Sequence, residues 1–228
     1  MKQALELAAP PADYRPIPFW SWNEKLEPEV LREQIRQMHD AGIGGFFMHA
    51  RGGLQTAYLS KEWMSCVEAC IDEADKLGMN AWLYDENGWP SGFGGGAVNG
   101  LGVKYQQKYL RYEFIDAAES GNRGNTIAWY TPEGELIGKT LPAGAEGTVL
   151  RCYFEVNPYY VDNLDPEVVA EFLRVTHDYY YRNLPKRLSR RLKGIFTDEP
   201  QLSRNGFLWS SVLEEEYWRA YHRELLPE

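Results

Sequence analysis

Short continuous apolar runs alternate along the first half of the chain with stretches of helical period. Ile17 to Trp22 is the first apolar run, after a lead-in kept irregular by Pro10, Pro11 and Pro16. Pro28 stands where the first turn of a helix tolerates proline, and Val30, Leu31, Gln34, Ile35 and Met38 recur on one helical face until Gly42. Ile43 to His49 has the pattern of a buried strand. Ser60 is an N-cap, and Met64, Val67, Ile71, Ala74 and Leu77 form the stripe of a second helix that Gly78 stops. Met79 to Tyr84 follows as a third strand. Strands and helices alternating through short connections predict parallel pairing by right-handed crossovers. Either an open doubly wound sheet or the start of a (β/α)8 barrel satisfies that order, and the absence of a phosphate-type glycine fingerprint after the first strand weighs against the nucleotide-binding form of the open sheet.

The pattern then changes. Tyr109 to Ile115, Thr126 to Tyr130, Leu136 to Lys139 and Thr148 to Val156 read as strands, with Pro132-Glu133-Gly134-Glu135 as a hairpin turn. Residues 105–156 are therefore expected to form an antiparallel β insertion, with 1–104 and 157–228 as a partial β/α barrel. Asp165-Pro166-Glu167 opens a helix running to about Pro185. Leu192 to Thr197 is a fourth strand, and Val212 to Leu226 a last helix. The fold class expected is α/β of the (β/α)8 TIM-barrel type with about four to five βα units. A whole barrel needs about 200 to 250 residues, so half a barrel with a tendency to self-associate is the expectation.

Composition narrows the chemistry. A formal charge of −9 without an extended basic cluster argues against nucleic acid or an anionic membrane as partner. The first twenty residues contain no signal-peptide core and no 18-residue apolar run occurs, so a cytoplasmic location is the default expectation. Three cysteines, two of them four apart on one helix face, do not make a disulfide framework. Aromatic residues reach 14%. They crowd around the strand ends, where flat rings and carboxylates together suit a ligand with C–H faces and hydroxyls, that is, a sugar.

The strand ends carry the candidate site. They bring together Trp20, Trp22 and Asn23, then His49 and Arg51, then Tyr84, Asp85, Glu86 and Trp89, then Asp198 and Glu199. Two acidic pairs on one face match glycoside hydrolysis, which needs one carboxyl to protonate the leaving oxygen and a second as nucleophile or base. Side chains alternate along a strand, so one acid of each pair is expected in the cleft and the other in a structural role. Bland roles exist for each: helix caps for the acids, a structural hydrogen bond for His49, charge neutralisation for Arg51, and core packing for one of Trp20 and Trp22. Gly94-Gly95-Gly96 lacks the lysine of a P-loop and reads as a hinge or tight turn. No EF-hand loop or His-Glu-x-x-His spacing appears, and no metal ligands are assigned.

The segments Pro18-Phe19-Trp20-Ser21-Trp22-Asn23, Ala41-Gly42-Ile43-Gly44-Gly45, Tyr84-Asp85-Glu86-Asn87-Gly88-Trp89-Pro90-Ser91-Gly92 and Thr197-Asp198-Glu199-Pro200 resemble, in order and spacing, large bacterial TIM-barrel glycoside hydrolases, in particular the α-L-rhamnosidase family 106 and its relatives. The resemblance implies a hydrolase with Glu199 as acid, in Asp-Glu-Pro where clan-A barrels carry Asn-Glu-Pro, and an association with Ca2+ in that family. The strand-end reading supplies Asp85 or Glu86 as second carboxylate or sugar-binding group and Trp20, Trp22, Asn23, His49, Arg51, Tyr84, Trp89 and Asp198 as substrate-binding groups, with no required cofactor. A carbohydrate-binding module without catalysis and a metal-dependent α/β enzyme acting on a small polar metabolite are the alternatives.

Overall fold

The computed structural model describes residues 10–121, 123–202 and 205–228. In chain order its main elements are β1 (Phe19–Trp22), α1 (Pro28–Asp40), β2 (Gly45–Ala50), α2 (Lys61–Leu77), β3 (Asn80–Asn87), β4 (Gln106–Asp116), β5 (Thr126–Tyr130), β6 (Leu136–Gly138) and β7 (Thr148–Val161). They continue with α3 (Pro166–Val175), α4 (His177–Asn183), α5 (Lys186–Ser189), β8 (Gly194–Phe196), β9 (Leu208–Trp209) and α6 (Leu213–Tyr221). The protein is mixed α/β, with a four-stranded sheet ordered β1-β2-β3-β8 and a separate five-stranded sheet ordered β6-β5-β7-β4-β9. It divides into two compact units: the described part of Met1–Gly95 with Phe172–Pro200, and Gly96–Glu171 with Gln201–Glu228.

In the first unit all strand pairs are parallel. Proline at the start of α1 and the buried Leu31 and Ile35 make that helix, and Ser60 caps α2 by accepting the Trp63 amide at 3.1 Å. Gly78, at φ +66°, ends α2 in the left-handed conformation that glycine adopts without cost. Gly45 has a steric reason: a Cβ there would lie 2.3 Å from the Asn80 carbonyl oxygen, so glycine lets β2 and β3 approach. One face of the sheet carries Trp20, Trp22, Phe46, Met48, Ala81 and Leu83, which join Leu31, Ile35, Trp63, Val67, Ile71, Tyr180 and Leu188 in one core. Each large side chain fully buried there contributes roughly 1.5–3 kcal/mol. The opposite face is aromatic. Phe19, Phe47 and Phe196 meet pairwise at 5.1–5.2 Å between ring centroids, and Phe47 reaches Trp82 at 5.5 Å.

Two boundaries differ from the sequence reading in ways that matter for the site. The third strand does not stop at Tyr84 but runs through both acids to Asn87. Between Met48↔Leu83 and Ala50↔Asn87 its register against β2 slips, so two residues of β2 oppose four of β3. The single helix expected up to Pro185 is broken into α3, α4 and α5. At Thr176 the helix is distorted, with φ −114° and ψ −77°, and its hydroxyl donates to the Phe172 carbonyl at 2.7 Å, the local competition with the helix ladder that threonine offers.

The second unit is the antiparallel sheet. β4 and β7 pair from Gln106↔Val161 to Asp116↔Thr148, and β5 and β6 form the expected hairpin, with Gly134 at φ +96° in its turn. Both long strands extend past the boundaries read from the sequence. β9, a two-residue strand after the fourth parallel strand, completes the sheet against Lys108 and Tyr109 and had no pattern to betray it.

Candidate active site

The C-terminal ends of the parallel strands surround an open cleft of about 490 Å3, lined by Phe19, Ser21, His49, Arg51, Trp89, Asp198 and Glu199. The alternation along each strand decides this membership. Phe19 and Ser21 of β1 and His49 of β2 point to the aromatic face, while Trp20 and Trp22 point to the helices. Trp22 is 1% exposed and Trp20 donates its indole N–H to Gln34 of α1 at 3.2 Å. Both tryptophans are therefore packed away from the cleft, and Asn23 does not line it. Of the residues expected to contact ligand, the structure gathers His49, Arg51, Trp89 and Asp198, with Tyr84 behind them, and adds Phe19 and Ser21.

The acids of β3 are used in an unexpected way. Alternation would leave one of Asp85 and Glu86 facing the cleft, but neither lines it and both are 0% exposed, covered by the loop that follows the strand. The Glu86 carboxylate is surrounded by backbone. Its two oxygens accept the N–H groups of Asn87 (2.8 Å), Gly92 (3.2 Å), Phe93 (2.9 Å), Gly94 (2.7 Å) and Gly95 (2.5 Å). This is a loop folded around an anion, and Gly94 and Gly95, at φ +58° and +65°, supply the curvature. Two of the three glycines in the run thus wrap an internal carboxylate. Burial pushes the Glu86 carboxyl upward and the amides pull it back.

Asp85 ties together the two loops that carry the cleft residues. It accepts from Ser91 Oγ at 2.5 Å and Thr197 Oγ1 at 2.6 Å. Ser91 Oγ in turn accepts the Asp198 amide at 2.8 Å, and the Ser91 amide donates to the Asp198 carbonyl at 2.9 Å. The β3–β8 ladder, whose last pair is Tyr84↔Phe196, is thereby extended by a serine in place of a strand residue. Burial raises the Asp85 carboxyl, against the two hydroxyls and the His177 imidazole, whose Nε2 lies 3.7 Å away. His177 is the functional neighbour that sequence reading missed: it stands at the helix break, and nothing in a period-based reading marks that break.

The Asp198 carboxylate accepts the Tyr84 hydroxyl at 2.9 Å, and burial together with that neighbour drives the phenol far above its usual range. Tyr84 packs against His49 with ring centroids 3.7 Å apart and the planes tilted by 38°. The His49 imidazole is held below its ordinary value by burial first and by the Arg51 charge, against the Gly88 carbonyl and Asp198. It is neutral near pH 7 with Gly88 accepting one ring N–H, and its Nε2 is buried without a hydrogen-bond partner. Glu199 is exposed at the cleft edge with φ +43°, a left-handed conformation that a glutamate adopts only when its surroundings impose it. Such outliers concentrate at working sites.

A larger concavity, about 790 Å3, lies in the second unit between residues 117–126 and 139–146. Its lining is mostly small residues, with Arg123, Lys139 and Glu146 as the charged groups, and it presents no pair of carboxylates. Among the described residues no group of three or more His, Cys, Asp or Glu side chains is arranged to hold a metal ion, and no helix is long and apolar enough to cross a membrane.

No family model and no curated protein matches the chain. Among solved structures, a rhamnosidase from Novosphingobium sp. PP1Y matches with a TM-score of 0.41 and 23% identity over 63% of this chain. The matched region spans 14% of that chain's length.

Proposed function

We propose that the cleft of the first unit binds a saccharide and that the protein cleaves glycosidic bonds. The observation that carries this reading is Glu199, held exposed at φ +43° in a cleft that also offers a second carboxylate, Asp198, and the rings of Phe19 and Trp89. In this reading Glu199 donates its proton to the glycosidic oxygen as the C1–O bond breaks. Asp198, oriented by Tyr84, is the second carboxylate, accepting the proton of the attacking water or attacking C1 itself. Asp85 and Glu86 hold the loops in place and do not touch substrate. Sequential strand order, helices against one face and polar groups at the C-terminal ends support assigning the four parallel strands to part of a (β/α)8 barrel, since a doubly wound sheet places helices on both faces and reverses its order.

The test is nitrophenol release from a panel of aryl glycosides, α-L-rhamnoside included, by the wild-type chain and Glu199→Gln, with and without Ca2+. We expect the variant to lose turnover by roughly 10²–10⁴-fold. Its affinity should stay within about threefold, because the amide keeps the size and hydrogen-bonding reach of the acid. Equal turnover by the two proteins overturns the assignment. A saccharide-binding module without catalysis is the second reading, favoured by the consumption of both β3 acids in structural contacts, and wild-type binding with no turnover of any glycoside would establish it.

A further inference from the structure

Among the described residues Arg51 is the one arginine or lysine lining the cleft, and it follows directly on β2, its amide continuing the parallel ladder by donating to the Trp22 carbonyl at 3.0 Å. It lies two residues past His49 and shares that residue's side of the strand, close enough for its charge to act on both His49 and Tyr84. The acids of the cleft are the natural partners for such a guanidinium. Among the described residues, however, the ion pairs involve neither Arg51 with Asp198 nor Arg51 with Glu199, and the Asp198 carboxylate is engaged by Tyr84 instead. Elsewhere in this acidic protein arginines find carboxylates readily, as Arg32 and Arg36 do with Glu73. An exposed, unengaged fork at the mouth of a ligand cleft has its donors available for a planar anion, to which it binds in bidentate fashion. Beside it the unpartnered Nε2 of neutral His49 offers an acceptor, which a ligand hydroxyl satisfies and a carboxylate does not.

We infer that the saccharide bound in the cleft is a uronic acid, its carboxylate held by Arg51 and a neighbouring hydroxyl directed to His49. The inference rests on the saccharide reading above and specifies its substrate class. Repulsion from Asp198 and Glu199 acts across an open, solvent-screened cleft, and a charged bidentate contact outweighs it.

The test compares aryl glucuronide and galacturonide with the glucoside, galactoside and α-L-rhamnoside, measuring both turnover and binding, in the wild-type chain, Arg51→Ala and Arg51→Lys. We expect at least one uronide to be preferred over its neutral counterpart by roughly ten- to a hundredfold. Arg51→Ala should abolish the preference and Arg51→Lys should restore part of it, with unchanged thermal unfolding, since the side chain is exposed and makes no bond that folding needs. Neutral glycosides handled as well as uronides, or a uronide preference that survives Arg51→Ala, overturns the inference and leaves the hydrolase reading standing. Uronide binding without turnover keeps the inference and removes the hydrolase. Neither binding nor turnover of any glycoside removes both.

Discussion

Replacing Glu86 by glutamine probes the assignment on which the geometry of the cleft depends. The substitution keeps shape and volume but turns one carboxylate oxygen into an NH2 group. One oxygen accepts from Asn87 and Gly95, the other from Gly92, Phe93 and Gly94. Whichever way the amide is turned, at least two buried backbone N–H groups lose their acceptor and face another donor. Each such loss costs about 1–3 kcal/mol, which gives roughly 2–6 kcal/mol. Glutamine also relieves the cost of burying a charge, which acts in the opposite direction and favours the lower half, about 2–4 kcal/mol. That is a large part of the roughly 5–15 kcal/mol typical of a domain. Urea unfolding at neutral pH, followed by tryptophan fluorescence and far-UV circular dichroism, measures it. A loss below about 0.5 kcal/mol would refute the reasoning, because it would mean that the carboxyl is held protonated, with its O–H already in the place of an amide donor. Loss of activity at unchanged stability would return Glu86 to the reacting groups.

Two more predictions concern packing and protonation. Trp22→Ala should cost about 3–5 kcal/mol, since the ring is 1% exposed in the core. Phe19→Ala, at 48% exposed on the rim of the cleft, should cost less than half of that while weakening ligand binding; equal stability losses in the two variants would contradict the assignment of faces. Burial holds the imidazoles of His49 and His177 below their ordinary value of 6.5, so the unfolded chain takes up protons first as pH falls. Stability contributed by these two groups is complete above that value and lost as pH drops toward their lowered native values. Asp85 and Glu86, both raised, act in the opposite sense, with stability that is lost as pH rises from the ordinary carboxylate range through their native values. Melting of the wild type and His177→Gln at about pH 7, 6 and 5 isolates the histidine contribution: as pH drops the wild-type transition should fall more, or rise less, than that of the variant, and an equal response in the two would contradict this account.

Much of the scaffold was legible because its signals are local. Pro28 and Ser60 start helices and Gly78 ends one as their backbone chemistry requires, and the apolar runs around Phe46 and Leu83 are parallel strands. The convergence of His49, Arg51, Trp89, Asp198 and Glu199 followed from the rule that the ends of parallel strands share a face. What failed was the step from alternation to exposure. Counting by twos along β3 puts one acid in the cleft, but the loop that follows folds back over both, Ser91 onto Asp85 and the Gly92, Gly94 and Gly95 amides onto Glu86, and a strand read alone does not show what its loop covers. The helix break at Thr176 and the two-residue β9 are invisible for a related reason: each is fixed by contacts with residues far away in the chain.

The acid pair of β3 shows how one residue pattern serves two purposes. A carboxylate next to glycines at a strand end reads as a catalytic group because both features occur at active sites, yet here the glycines exist for the carboxylate. Their amides satisfy Glu86, and the loop so formed places Trp89 in the cleft and Ser91 over Asp85. Through Ser91 and Thr197 the buried Asp85 then fixes the backbone at Asp198, and the strained conformation of Glu199 follows one residue later. Catalysis benefits from such an arrangement, since a proton donor works best when its position is set before substrate arrives. On the proposed reading Asp85 holds Asp198 and Glu199 in place, so substitutions at Asp85 should lower turnover and stability together, whereas Glu199→Gln should lower turnover alone.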